Sequence, residues 1–88
     1  MQSVNPNYPI GRNIAKLRYG CGLTQDQVIA KLGIFNIPVS KSRYAKIETD
    51  RINIRVNELA ALKNIFKCSY EDFFRGVDEM FLAEIKDI

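Results

Sequence analysis

The chain has 88 residues, 47% of them hydrophobic and 26% charged, enough for one small globular domain and too apolar for general disorder. No apolar run approaches the roughly 20 residues that span a bilayer. Residues 1–9 carry neither the basic cluster nor the apolar stretch of a secretory signal, so the expected location is the cytoplasm. The formal net charge of +3 conceals a segregation: residues 1–55 hold nine basic side chains against three acidic, residues 56–88 four against seven. A polyanion is attracted to the first part and repelled by the second.

Several chemistries are excluded early. The chain has no histidine, the commonest general base. No serine or cysteine sits beside an evident activator, and no glycine-rich phosphate loop is present. No enzyme, cofactor or metal is therefore expected. Cys21 and Cys68 are too few for a zinc site and read as reduced thiols acting as small apolar residues, rather than as a disulfide.

Residues 1–9, with Pro6 and Pro9 among asparagines, read as a flexible or extended lead-in. They lack the Lys or Arg that an arm in the minor groove needs. From Ile10 the residues Ile14, Leu17 and Cys21 recur at helical spacing, and Gly20 and Gly22 stop this first helix. Thr24 caps the next one, with Gln27 completing a capping box and Val28, Ile29 and Leu32 forming the buried stripe. Gly33 marks its end in the simplest reading. The following Ile34, Phe35 and Ile37 are apolar, which predicts that the segment prolongs the helix or packs in the turn before Pro38.

Ser40 caps a third helix. Its Tyr44, Ala45, Ile47 and Glu48 should face inward, while Lys41, Ser42, Arg43 and Lys46 remain accessible. A polar loop over residues 49–55 leads to a fourth helix over residues 56–66 that buries Leu59, Leu62, Ile65 and Phe66. Ser69 with Asp72 signals a fifth, with Phe73 and Phe74 apolar. No strand pattern appears. The expectation is an all-α, compact five-helix domain over residues 10–74, followed by a helical tail over residues 75–88. In that tail Val77, Met80, Phe81, Ile85 and Ile88 form a stripe that either completes the core or makes a dimer interface.

Two helices joined by a short turn, the second one basic, is the layout of a helix-turn-helix that lays its second helix in the major groove of DNA. Lys and Arg on one helix face neutralise phosphates and release counterions. They also donate to guanine O6 and N7, and a serine hydroxyl serves several base edges. Lys41, Ser42, Arg43 and Lys46 are thus the candidate base-reading residues.

The residues also match a pattern. Ile10-Gly11-x-x-Ile14-x-x-Leu17-Arg18, then Leu23-Thr24-Gln25, Ser40 through Ile47-Glu48, Leu59-x-x-Leu62 and Tyr70-Glu71-Asp72-Phe73-Phe74 resemble the Cro/phage-repressor type (XRE-like) of helix-turn-helix regulators. The resemblance implies a five-helix fold that binds double-stranded operator DNA, a palindrome, as a homodimer and represses transcription. It implies phosphate contacts by Gln25 at the start of the second helix and by Arg51 and Asn53 in the loop after the third. It further implies a structural ion pair between Arg18 and Glu48. Two departures stand out: residues 34–38 are inserted between the Gly33 and Val39 positions, and Ile29 stands where the pattern has alanine. Both suggest a longer second helix and an altered crossing angle. The rival reading is a protein-interaction module of antitoxin-like or phage-partner type with little DNA binding. No small-molecule ligand and no membrane partner is expected.

Overall fold

Helix stops, more than helix starts, organise this chain. The computed structural model describes residues 10–86, and all regular structure among them is helical: α1 (Ile10–Gly20), α2 (Gln25–Ile34), α3 (Lys41–Glu48), α4 (Val56–Phe66), α5 (Tyr70–Phe73) and α6 (Val77–Lys86). Among the described residues there are therefore six helices: five lie within residues 10–74, and the sixth is the tail, set off by a turn at Gly76 (φ +87°) between α5 and α6. The lead-in over residues 1–9 and Ile88 lie outside the described residues.

The caps follow the sequence signals. The Thr24 hydroxyl accepts from Gln27 N (3.1 Å) while the Gln27 side chain accepts from Thr24 N (2.8 Å), and the Ser40 hydroxyl accepts from Arg43 N (3.0 Å). At the other ends, α1, α2 and α3 share one geometry. A residue in the left-handed region follows each helix: Gly22 (φ +71°), Asn36 (φ +63°) and Asp50 (φ +59°). The next amide then reaches back into the last turn, as Leu23 N to Arg18 O (3.2 Å), Ile37 N to Leu32 O (3.0 Å) and Arg51 N to Lys46 O (2.9 Å).

The same geometry fixes the course of residues 34–38. Gly33 lies inside α2, and Asn36 supplies the left-handed turn, a conformation that asparagine tolerates better than most residues. The helix runs one residue past Gly33 and stops. Ile37 folds back onto the core, whereas Ile34 (82% exposed) and Phe35 stay in solvent. The expected extension of α2 is thus a single residue, and the apolar character of the segment is spent mostly on the surface.

The core is built from Ile14, Val28, Leu32, Val39, Tyr44, Ile47, Ala61, Leu62, Phe66 and Phe73. Leu17, Ile29, Leu59 and Ile65 pack around it half-buried. Cys21 and Phe74, expected on apolar stripes, are exposed. The turn at Gly22 carries Cys21 to the rim, where its thiol donates to Phe66 O (3.5 Å).

Gly11 fixes how closely α1 and α3 cross. A Cβ there would fall on the Ile47 carbonyl oxygen and within 2.9 Å of Asp50 Oδ1, so only glycine admits the contact. The gap is used: Gly11 N donates to the Asp50 carboxylate (2.7 Å), tying the α3 stop to the start of α1. On the opposite flank, buried Asn13 donates to both Phe73 O (2.8 Å) and Arg75 O (2.9 Å), pinning the end of α5 onto α1.

Candidate nucleic-acid interface

Six of the eight residues of α3 are either buried or exposed, with Arg43 and Ala45 in between. Tyr44, Ile47 and Glu48 are buried against the rest of the fold, and Lys41, Ser42 and Lys46 are exposed on the outer edge. Two side-chain clamps hold the helix at that angle. The first joins three helices at Glu48. Arg18 Nε donates to Glu48 Oε2 (2.7 Å), Arg18 Nη2 to Oε1 (3.0 Å), and Gln25 Nε2 also to Oε1 (3.0 Å). Glu48 thus joins α1, the start of α2 and the end of α3, and Arg18 Nη1 also donates to Leu23 O (3.0 Å), tying in the turn after α1.

The pair is almost dry, with Arg18 and Glu48 side chains 8% and 5% exposed. Burial alone would push the Glu48 pKa up, but the hydrogen bonds from Arg18 and Gln25 outweigh it and hold the carboxyl below its ordinary range. The hydrogen bond to Glu48 correspondingly raises Arg18. Tyr44 lies beside this pair, its buried hydroxyl without a hydrogen-bond partner among the described residues. Burial first, and the neighbouring Glu48 carboxylate second, raise its pKa well above the tyrosine range.

The second clamp uses a residue expected to read bases. Arg43 donates through Nε to Glu58 Oε2 (2.9 Å) and through Nη2 to Glu58 Oε1 (2.8 Å), a fork joining α3 to the first turn of α4. Glu58 is buried and also accepts from Arg55 N (2.8 Å). Burial opposes its ionisation, yet the Arg43 fork and the Arg55 amide bring its pKa below the usual carboxylate range. Arg43 is therefore committed to the fold and is not free on the outer face with Lys41, Ser42 and Lys46.

The other expected contacts fall differently. Lys41 Nζ lies 2.7 Å from Asp26 Oδ1, but both side chains are more than half exposed. Such a surface pair contributes about 0–1 kcal/mol and yields readily to a competing anion. Gln25, half-buried, spends its side-chain amide on Glu48, while Asp26 beside it is exposed. Arg51 and Asn53 are exposed in the loop after α3, and Lys46 and Arg51 make no ion pair among the described residues. The outer edge of α3 and this loop together offer ammonium, hydroxyl, guanidinium and amide groups, all able to donate to phosphate or base edges. Comparison with protein-family models, with curated proteins and with solved structures finds no match for this chain.

Four residues that position these elements carried little signal in the sequence. Glu58 stands three positions after Arg55, the spacing at which a glutamate reaches back to a helix start, but Arg55 is not a capping residue type. Asp50 and Gly11 meet only through the fold. Asn13 lies on α1 where periodicity predicts nothing specific. On the tail, Val77 is half-buried while Met80, Phe81 and Ile85 are exposed, joined by Leu82.

Proposed function

We propose that this protein is a sequence-specific double-stranded DNA-binding regulator, a repressor of the helix-turn-helix type, with α2 and α3 as the paired helices. One observation carries the reading: α3 is locked by the Glu48 and Glu58 clamps so that Lys41, Ser42 and Lys46 project from a rigid, otherwise polar edge. A rigid basic helix is what major-groove readout requires, since hydrogen bonds to base edges discriminate only when their donors are held in place. In this reading Lys41, Ser42 and Lys46 face bases, and Arg51, Asn53 and the start of α2 near Gln25 face phosphates. Arg43 orients the helix from behind. A single recognition helix spans few base pairs, so two copies on a palindrome supply the affinity, with the exposed α6 side chains as the surface that pairs them.

Selection of bound duplexes from a random pool tests this. The expected outcome is an enriched palindrome whose affinity falls steeply with salt. Recovery of no preferred sequence, with binding as weak as to bulk DNA, refutes it. The second reading, a protein-interaction module on the same helices, draws on the exposed Met80, Phe81, Leu82 and Ile85 of α6. It predicts association that responds little to salt.

A further inference from the structure

Away from α3, the chain carries a cleft between α1 and the α5–α6 junction. Arg12, Asn13, Lys16 and Leu17 form one wall, and Asp72, Arg75, Gly76 and Met80 the other, around a volume of about 470 Å³. That size lies within the range of small-molecule sites, roughly 300–1,000 Å³. We propose that this cleft binds a small organic anion, a phosphate or carboxylate group attached to an apolar body.

The charge pattern sets the ligand class. Arg12 and Lys16 stand four residues apart on α1, about 6 Å along the axis, so both can reach one anionic group. Neither makes a hydrogen bond or ion pair among the described residues. Arg75 adds a third cation at the rim; its Nη2 is paired with Asp72 Oδ1 (2.6 Å), which leaves its other donors free. Three cations face one carboxylate that is already neutralised, so the cleft has a net positive charge and surplus donors. Leu17 and Met80 supply the apolar part, and a flexible methionine adapts to varied shapes.

The walls are also positioned. Asn13 spends both amide hydrogens on Phe73 O and Arg75 O, holding the α5 end of the cleft against α1. Beyond it the chain turns at Gly76, and α6 contributes Met80 from the far side of that turn. A ligand bridging Arg12, Lys16 and Met80 would therefore set the angle between α6 and the rest of the fold. If α6 pairs two copies, the ligand tunes that pairing. The site itself does not depend on the DNA reading, because none of its lining residues belongs to α2 or α3.

The test is an amide-shift titration of the full chain with inorganic phosphate, phenyl phosphate and benzoate, at constant ionic strength. The expected result is saturable shifts at Arg12, Lys16, Arg75 and Gly76. Phenyl phosphate or benzoate should bind more tightly than inorganic phosphate, and whichever of the two saturates first assigns the anionic group. Arg12→Gln with Lys16→Gln should weaken binding about tenfold or more, since each loses a charge-assisted hydrogen bond. Met80→Ala should erase the advantage of the phenyl compound while leaving inorganic phosphate unchanged. Shifts that stay linear, that appear equally on α3, or that persist in the double variant overturn the proposal. So does displacement of the small anions by an arbitrary duplex, which would make Arg12 and Lys16 a backbone contact. If the double variant does not fold, saturation and location in the wild-type titration decide alone.

Discussion

Arg18→Met removes the guanidinium while keeping most of the apolar stem, and the structure sets what that should cost. The variant loses two hydrogen bonds to Glu48 and one to Leu23 O. It leaves a carboxylate only 5% exposed with Gln25 as its remaining polar partner. Stranding one member of a buried ion pair costs about 3–5 kcal/mol. A domain of this size has on the order of 4–13 kcal/mol of stability in total, and each kcal/mol moves the midpoint of a melt by about 4–8 °C. Arg18→Met should thus lower Tm by at least about 12 °C at pH 7, read by circular dichroism. The deficit should also shrink in acid. In the wild type the Arg18 hydrogen bonds keep the Glu48 pKa low; without them burial dominates and raises it, so lowering the pH neutralises the stranded charge and relieves the variant. The double variant Arg18→Met with Glu48→Gln should be less destabilised than Arg18→Met alone, because no buried charge remains. A melt within a few degrees of wild type, or a deficit identical at pH 4.5 and pH 7, would mean that no buried charge is stranded at Glu48.

The depressed pKa values of Glu48 and Glu58 fix the direction of acid unfolding. The stability they contribute is fully present above the unfolded value of about 4.3 and is lost as pH falls through their folded values; urea midpoints should be flat near neutrality and decline below that pH, and less so in Glu58→Gln. Gly11→Ala puts a methyl onto the Ile47 carbonyl oxygen and should cost about 1–3 kcal/mol by thermal melt; an unchanged Tm would mean that α1 and α3 separate freely. Truncation after Phe74 removes α6 and should leave a folded domain that sediments as a monomer and binds a palindrome more weakly. Unfolding of the truncated chain, together with a monomeric full chain, would assign the α6 stripe to the core instead.

Much of the fold was legible because its signals are local. Thr24 with Gln27, Ser40, and Ser69 with Asp72 mark helix starts by chemistry that acts over three residues, and all three caps form. Apolar spacing located Ile14, Val28, Leu32, Tyr44, Ile47, Leu62 and Phe73 in the core. What escaped depends on partners distant in sequence. Residues 34–38 were legible in part: α2 runs on to Ile34 and Ile37 packs on the core, but Ile34 and Phe35 stay exposed because the left-handed turn at Asn36 decides where the chain turns back. Arg43 belongs by periodicity to the same outer edge as Lys46, and only the position of Glu58 on α4 draws it away. Gln25 likewise meets Glu48 only where the fold brings the start of α2 onto the end of α3. Cys21 fell on the expected stripe, but the turn at Gly22 carries it out to solvent.

In the proposed complex the clamped α3 reads base edges while the loop after it touches phosphates. Equilibrium binding of the wild type, Lys41→Ala, Ser42→Ala and Arg51→Ala to the selected palindrome and to a scrambled duplex, across a salt series, tests it most directly. Lys41→Ala and Ser42→Ala should each cost about 1–3 kcal/mol on the palindrome and far less on the scrambled duplex. Arg51→Ala should weaken both alike and reduce the slope of log affinity against log salt by about one phosphate contact. Equal losses on the two duplexes for all three variants, or none at all, would contradict the assignment of α3 as the reading helix.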